Sequence, residues 1–154
     1  LMSKVLPIKK IVGIDVFIPK ALKKRLIKKC DKKLILIEKD STNLDLINDL
    51  KKKLKKFKNF YIHLDSNHTH EHVLKELKLY SKFLKKNNYI VADDTIVNEI
   101  PNQIYRPRPW SNKRNPMTAV KEFLKNHKNF KIDHSLNYNH LISSSPGGYL
   151  LKKK

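Results

Sequence analysis

Four short apolar runs, each closing on or running into an acid, constrain this chain more than any other feature. They are residues 10–15 (KIVGID), 33–38 (KLILIE, with Asp40 two residues on), 59–64 (NFYIHL, then Asp65) and 89–92 (YIVA, then Asp93-Asp94). Apolar residues at helical spacing lie between them. Pro19 opens a short basic helix over 21–29. Ser41, Thr42 or Asn43 caps a helix whose face carries Leu44, Ile47, Leu50, Leu54 and Phe57. Residues 71–86 form the strongest helix, with Val73, Leu77, Tyr80 and Leu84 in one stripe. Alternating strands and helices predict an α/β fold built on a doubly wound, mostly parallel sheet, in which KLILIE is buried on both faces.

The pattern loosens beyond residue 96. Residues 97–115 read as a polar loop with Pro101, Pro107 and Pro109, carrying Trp110. Asn115-Pro116 then supplies an N-cap and a proline at the first helical position, and Met117, Val120 and Leu124 give that helix its apolar face. Residues 130–134 and 140–144 are expected to pair as a C-terminal antiparallel hairpin before a Pro146-Gly147-Gly148 turn. Residues 152–154 read as a frayed basic tail. Without repeats or a linker, residues 1–154 read as one domain.

Lys plus Arg total 34 against 14 Asp plus Glu, a formal charge of +20, and only four of the 34 are Arg. The lysines come in pairs and triplets (Lys23-Lys24, Lys28-Lys29, Lys51-Lys52-Lys53) placed where helices face solvent. No helix-turn-helix, zinc-finger spacing or aromatic stacking motif accompanies them, so the reading is a solvated coat and no nucleic-acid partner. No apolar run approaches the ~20 residues of a membrane span, and no signal-peptide core is present. The single Cys30 rules out a disulfide framework. A cytoplasmic setting is expected.

Ligands of open parallel sheets bind beyond the carboxyl ends of the strands, which is where Asp15, Asp40, Asp65, Asp93 and Asp94 fall. Converging Asp65, Asp93 and Asp94 would supply hard oxygens suited to Mg²⁺. The segment after Asp65, DSNHTHEH, adds His68, His70 and His72; helix-start surface residues are the bland alternative, and His72 is the expected bystander.

The stretches HLDSNHTHEHVLKELKLYSKFL, YIVADDTIV, RPWSNKRNPMTAVKEFLKNH and FKIDHSLNYNHLISSSPGGYL resemble, in order and spacing, the cephalosporin hydroxylase/rhamnosyl O-methyltransferase family. KKIVGIDVFI matches that family's upstream GID strand, so the likeness spans roughly residues 9–151. The resemblance implies the Rossmann-like fold of class I S-adenosylmethionine-dependent methyltransferases and Mg²⁺-assisted methylation of a sugar or secondary-metabolite hydroxyl. Carried over by position, it makes Asp65, Asp93 and Asp94 metal ligands and His68 the general base, with His70 as the other candidate. Asp15 matches the acid on the cofactor ribose, and Asp40-Ser41 stands where a Gly-Ser pair lies near the adenine. The family usually has Glu-Asp where this chain has Asp93-Asp94, which changes the reach of the first carboxylate.

The three glycines, Gly13, Gly147 and Gly148, form no G-x-G turn. About nine residues precede the GID strand, whereas a strand–turn–helix unit needs about 30. The expectation is therefore a partial domain lacking its first βα unit, completed by an N-terminal chain or working as a homo-oligomer on a small-molecule or glycan hydroxyl acceptor. Loop 97–115 is expected on the acceptor side. The alternatives are an inactive fragment or interaction module and, less favoured, a basic nucleic-acid binder.

Overall fold

A computed structural model describes residues 7–30, 33–101, 104–138 and 142–154. The chain is mixed α/β and divides into two compact units, Leu1–Leu46 and Ile47–Lys154.

The first unit contains β1 (Ile11–Asp15), α1 (Lys20–Cys30) and β2 (Leu34–Glu38), followed by α2 (Leu44–Leu54), which crosses into the second unit. β1 and β2 pair in parallel from Ile11↔Leu34 to Asp15↔Glu38, so their carboxyl ends share one edge. The expectation that KLILIE is buried on both faces is corrected: β2 is half-buried along Leu34–Ile37 and exposed at Glu38, because β1 is its only strand partner among the described residues. Asn43 is the cap of α2, its Oδ1 accepting the Leu46 amide at 3.0 Å. Leu46, Ile47 and Leu50 are the buried side chains there, while Leu44 is 62% exposed and Phe57 lies beyond the helix.

The second unit holds a four-stranded sheet in the order β3-β4-β6-β5, from β3 (Tyr61–Leu64), β4 (Tyr89–Ala92), β5 (Phe130–Ile132) and β6 (Tyr149–Lys152). β3 and β4 are parallel; β6 runs antiparallel to both β4 and β5. The helices are α3 (His70–Tyr80), α4 (Pro116–Asn126) and the short α5 (His134–Tyr138). The Val73, Leu77, Tyr80 and Leu84 stripe is buried as its spacing predicts, but α3 stops at Tyr80 and tightens into a 3₁₀ turn over Ser81–Phe83. α4 starts at the predicted cap, where Asn115 Oδ1 accepts the Thr118 amide and Thr118 Oγ1 accepts the Asn115 amide, a reciprocal capping box. Its buried face is Pro116, Ala119, Val120 and Phe123; Val120 was expected there, whereas Met117 and Leu124 lie at its margins. Burying Phe123 completely contributes about 1.5–3 kcal/mol.

Two C-terminal expectations are corrected. β5 pairs with β6 instead of with residues 140–144, because α5 follows directly; His140 and Leu141 lie outside the described residues. Lys152 is not frayed: it ends β6, its Nζ donates to Leu84 O at 2.7 Å, and the ammonium lies 5.6 Å from the Phe130 ring centre. Lys153 N donates to Asn129 O at 2.8 Å. The Pro146-Gly147-Gly148 turn forms as expected and leans on β4. Gly147 has φ +74°, and a Cβ on Gly148 would sit 2.2 Å from Ala92 O. No described helix is long and apolar enough to cross a membrane.

Candidate functional site

In the second unit, the carboxyl ends of the parallel strands β3 and β4 are followed by Asp65 and by Asp93-Asp94. The chain leaving β3 makes a short loop, and Thr69, an N-cap without a side-chain cap bond, starts α3. Ser66 Oγ holds this loop down by donating to the buried Glu76 at 2.8 Å. His68 stands on that loop with only 15% of its side chain exposed. Its Nε2 lies 3.3 Å from Asp65 Oδ1 and its Nδ1 lies 3.3 Å from Asp94 Oδ2. Carboxylate oxygens only accept, so His68 must give up one of these contacts before that nitrogen can take a proton from anything else. The Trp110 ring meets the imidazole edge to face at 5.1 Å and 67°. The Arg108 guanidinium in turn lies 5.2 Å from the Trp110 ring centre.

Asp93 and Asp94 differ sharply. Asp94 is in the left-handed region at φ 52°, which a non-glycine residue adopts at a cost and Asp tolerates better than most. That backbone turns its carboxylate, with 39% of the side chain exposed, toward His68. Asp93 is only 15% exposed. Its Oδ1 accepts Ser144 Oγ at 2.6 Å, Ser145 Oγ, and the Asp94 amide at 2.8 Å. Its Oδ2 lies 2.9 Å from His63 Nε2. Burial opposes its ionisation, but the bonds from Ser144, Ser145, the Asp94 amide and His63 outweigh that and hold the carboxyl well below the usual carboxylate range.

The other histidines leave this centre. His70 is buried, with Nδ1 2.7 Å from Thr118 Oγ1 and Nε2 3.0 Å from Glu122 Oε2, so it fastens α3 to α4. His72 Nε2 lies 3.5 Å from Glu76 Oε1 on the same helix. Sequence reasoning missed His63, Ser144, Ser145 and Glu76: strand pairing brings His63 to Asp93, loop closure brings in the two serines from about fifty residues away, and the turn of α3 sets Glu76 against Ser66.

The cofactor candidates lie in the first unit. Asp15, exposed at the end of β1, accepts the Phe17 amide on Oδ1 at 3.1 Å. Asp40 Oδ1 accepts the Thr42 amide at 2.6 Å and Thr42 Oγ1 at 2.8 Å, which closes a turn around Ser41. The parallel register places Asp15 and Asp40-Ser41 at the same edge of the two-stranded sheet. An acid and a small hydroxyl residue at the carboxyl edge of neighbouring parallel strands fit a nucleoside with free hydroxyls.

The residues fit a divalent cation only in part. Among the described residues no group of three His, Cys, Asp or Glu side chains is arranged to hold a metal. Asp65 and Asp94 are the more exposed carboxylates and lie against opposite nitrogens of the His68 ring, where each is open to a hydrated cation such as Mg²⁺, which takes one or two carboxylates. Asp93 has both oxygens in contact with protein groups, Oδ1 with two serine hydroxyls and an amide and Oδ2 with His63.

No curated protein matches the chain, and no solved structure does. The family model for rhamnosyl O-methyltransferase/CmcI matches residues 1–153, and the chain belongs to that family of O-methyltransferases.

Proposed function

We propose that this protein transfers the methyl group of S-adenosylmethionine to a hydroxyl of a sugar or secondary metabolite, with His68 as general base. The observation that carries the reading is the placement of His68, shielded by Trp110, on the loop after β3 and against Asp65 and Asp94. The sulfonium methyl is already electrophilic, so the protein's task is to present a nucleophilic oxygen in line with it. The acceptor hydroxyl displaces one carboxylate from His68, whose imidazole then takes the hydroxyl proton. The other carboxylate keeps the ring oriented and balances the imidazolium that forms. Trp110 covers one side of the ring, which supports an acceptor-side role for the loop that carries it. A divalent cation held by Asp65 and Asp94 would add Lewis-acid lowering of the hydroxyl pKa. Asp15 binds the cofactor ribose, and Asp40-Ser41 lies toward the adenine.

In the same reading the fold is Rossmann-like, and the chain is most of one methyltransferase domain. The glycine-rich βα unit that cradles the cofactor in that fold is not among these 154 residues, and a complementing chain supplies it. Two features support this: the three glycines form no phosphate- or nucleoside-cradling turn, and among the described strands β3 pairs only with β4. A cytoplasmic location and an oligomeric state belong to the same proposal. The test is incubation of the protein, joined by the missing unit, with isotopically labelled S-adenosylmethionine and a panel of sugar and phenolic hydroxyl acceptors. Label in an O-methyl product supports the reading; S-adenosylmethionine binding without transfer to any acceptor leaves an inactive interaction module as the better account.

A further inference from the structure

We infer that Asp93 is a positioning residue, the anchor that fastens the serine loop to the end of β4 and fixes Asp94 in its left-handed turn, and that it is not a cation ligand. This rests on the proposed site only in naming Asp94 as the carboxylate being positioned.

A ligand to Mg²⁺ needs an oxygen directed into the open site, yet Asp93 Oδ1 faces two serine hydroxyls and an amide, and Oδ2 faces His63. These donors come from three places: β3, the residue next door and the loop before β6. One half-buried acid thus ties together the ends of β3 and β4 and residues 144–145. The neighbouring backbone follows the same line. Ile96 N donates to Ser144 O at 3.1 Å, Gly148 N to Ser145 O at 2.9 Å, and Thr95 Oγ1 to Pro146 O at 2.8 Å. The missing Cβ of Gly148 lets this loop lie directly on Ala92 O. Asp94 sits within that clamp. Its amide is held by Asp93 Oδ1, and its strained φ of 52° persists because both flanks are fixed. The short Asp side chain suits the role: one methylene more would drive the carboxylate past the serine hydroxyls.

The test uses the full chain with isotopic labelling, comparing Asp93→Asn, the Ser144→Ala/Ser145→Ala double variant, and all three changes together. The readouts are amide exchange at Ile96 and Gly148 and the ring signals of His68. An anchor predicts that Asp93→Asn and the serine variant each speed exchange at both amides by about tenfold or more and shift the His68 signals alike. The triple variant then goes little further, since one interaction has been removed twice. Asp93→Glu does not restore either readout. Exchange within about twofold of wild type in Asp93→Asn, or effects of acid and serines that simply multiply, overturns the inference. A Mn²⁺ titration, read as broadening of the His68 ring signals, separates the roles further. The anchor predicts equal weakening of Mn²⁺ binding by Asp93→Asn and by the serine variant. Weakening by Asp93→Asn alone makes Asp93 a ligand and overturns it. Absence of Mn²⁺ binding in the wild type counts against the Asp65–Asp94 cation pair, and the exchange results still decide the anchor.

Discussion

In the described part of residues 1–46, α1 buries no side chain, β1 and β2 are half-buried at best, and Val16 and Phe17 are 70% and 68% exposed. In residues 47–154, Leu77, Ile90, Val120, Phe123 and Leu150 are all fully buried, and a four-stranded sheet lies with them. The proposed division of labour follows this contrast. The residues assigned to the cofactor stand on the sparsely covered unit, and those assigned to the chemistry stand on the well-packed one. A general base must be held to a fraction of an ångström, which a packed core provides; a nucleoside can be gripped by a unit that firms up when further surface covers it.

The largest effect that would break this contrast is at Gly148. Gly148→Ala drives a methyl into Ala92 O and should cost more than about 4 kcal/mol, seen as loss of cooperative unfolding in the second unit. Phe123→Ala should cost about 3–5 kcal/mol in denaturant unfolding, whereas Ile27→Ala, on an exposed position of α1, should cost less than about 0.5 kcal/mol. Equal losses at the two positions would erase the distinction between the units. Amide exchange sharpens it: β4 and β6 should exchange slowly and β1 and β2 near the fast limit. Calorimetry on the 154-residue chain alone should show S-adenosylmethionine binding no tighter than about 100 μM, some 5 kcal/mol; micromolar affinity would mean that the first unit grips the cofactor unaided.

The smallest effect concerns pH. Asp93 titrates below its ordinary value near 4, so its contribution to stability is present above that value and is lost as pH falls through the depressed one. Urea unfolding should therefore show wild-type stability falling from about pH 5 downward, and Asp93→Asn should start lower at pH 7 and fall less steeply. Parallel curves would remove Asp93 from the acid response.

Local features were legible in the sequence, and distant ones were not. The Asn115-Pro116 cap, the stripe of α3 and the aspartates after β3 and β4 are written in adjacent residues, and the structure shows them. The β5–β6 pair was hidden because α5 intervenes and because YLLK runs straight into the lysines of the chain's end, which read as a tail. Within the site, the candidacy of His68 came from the family resemblance carried by the Asp-Ser-x-His stretch and not from its residue type. The partition between Asp93 and Asp94 was not, because it depends on serines about fifty residues away and on one left-handed φ. His70 and His68 look equivalent as sequence; only the packing of α3 on α4 assigns His70 to Thr118 and Glu122.

The most direct measurement is the rate of labelled methyl transfer from S-adenosylmethionine, wild type against His68→Ala, with the proposed cofactor-cradling unit supplied. The account predicts a loss of at least about 100-fold in turnover, with the unfolding midpoint and cofactor affinity little changed. His68→Ala turning over at the wild-type rate would contradict it.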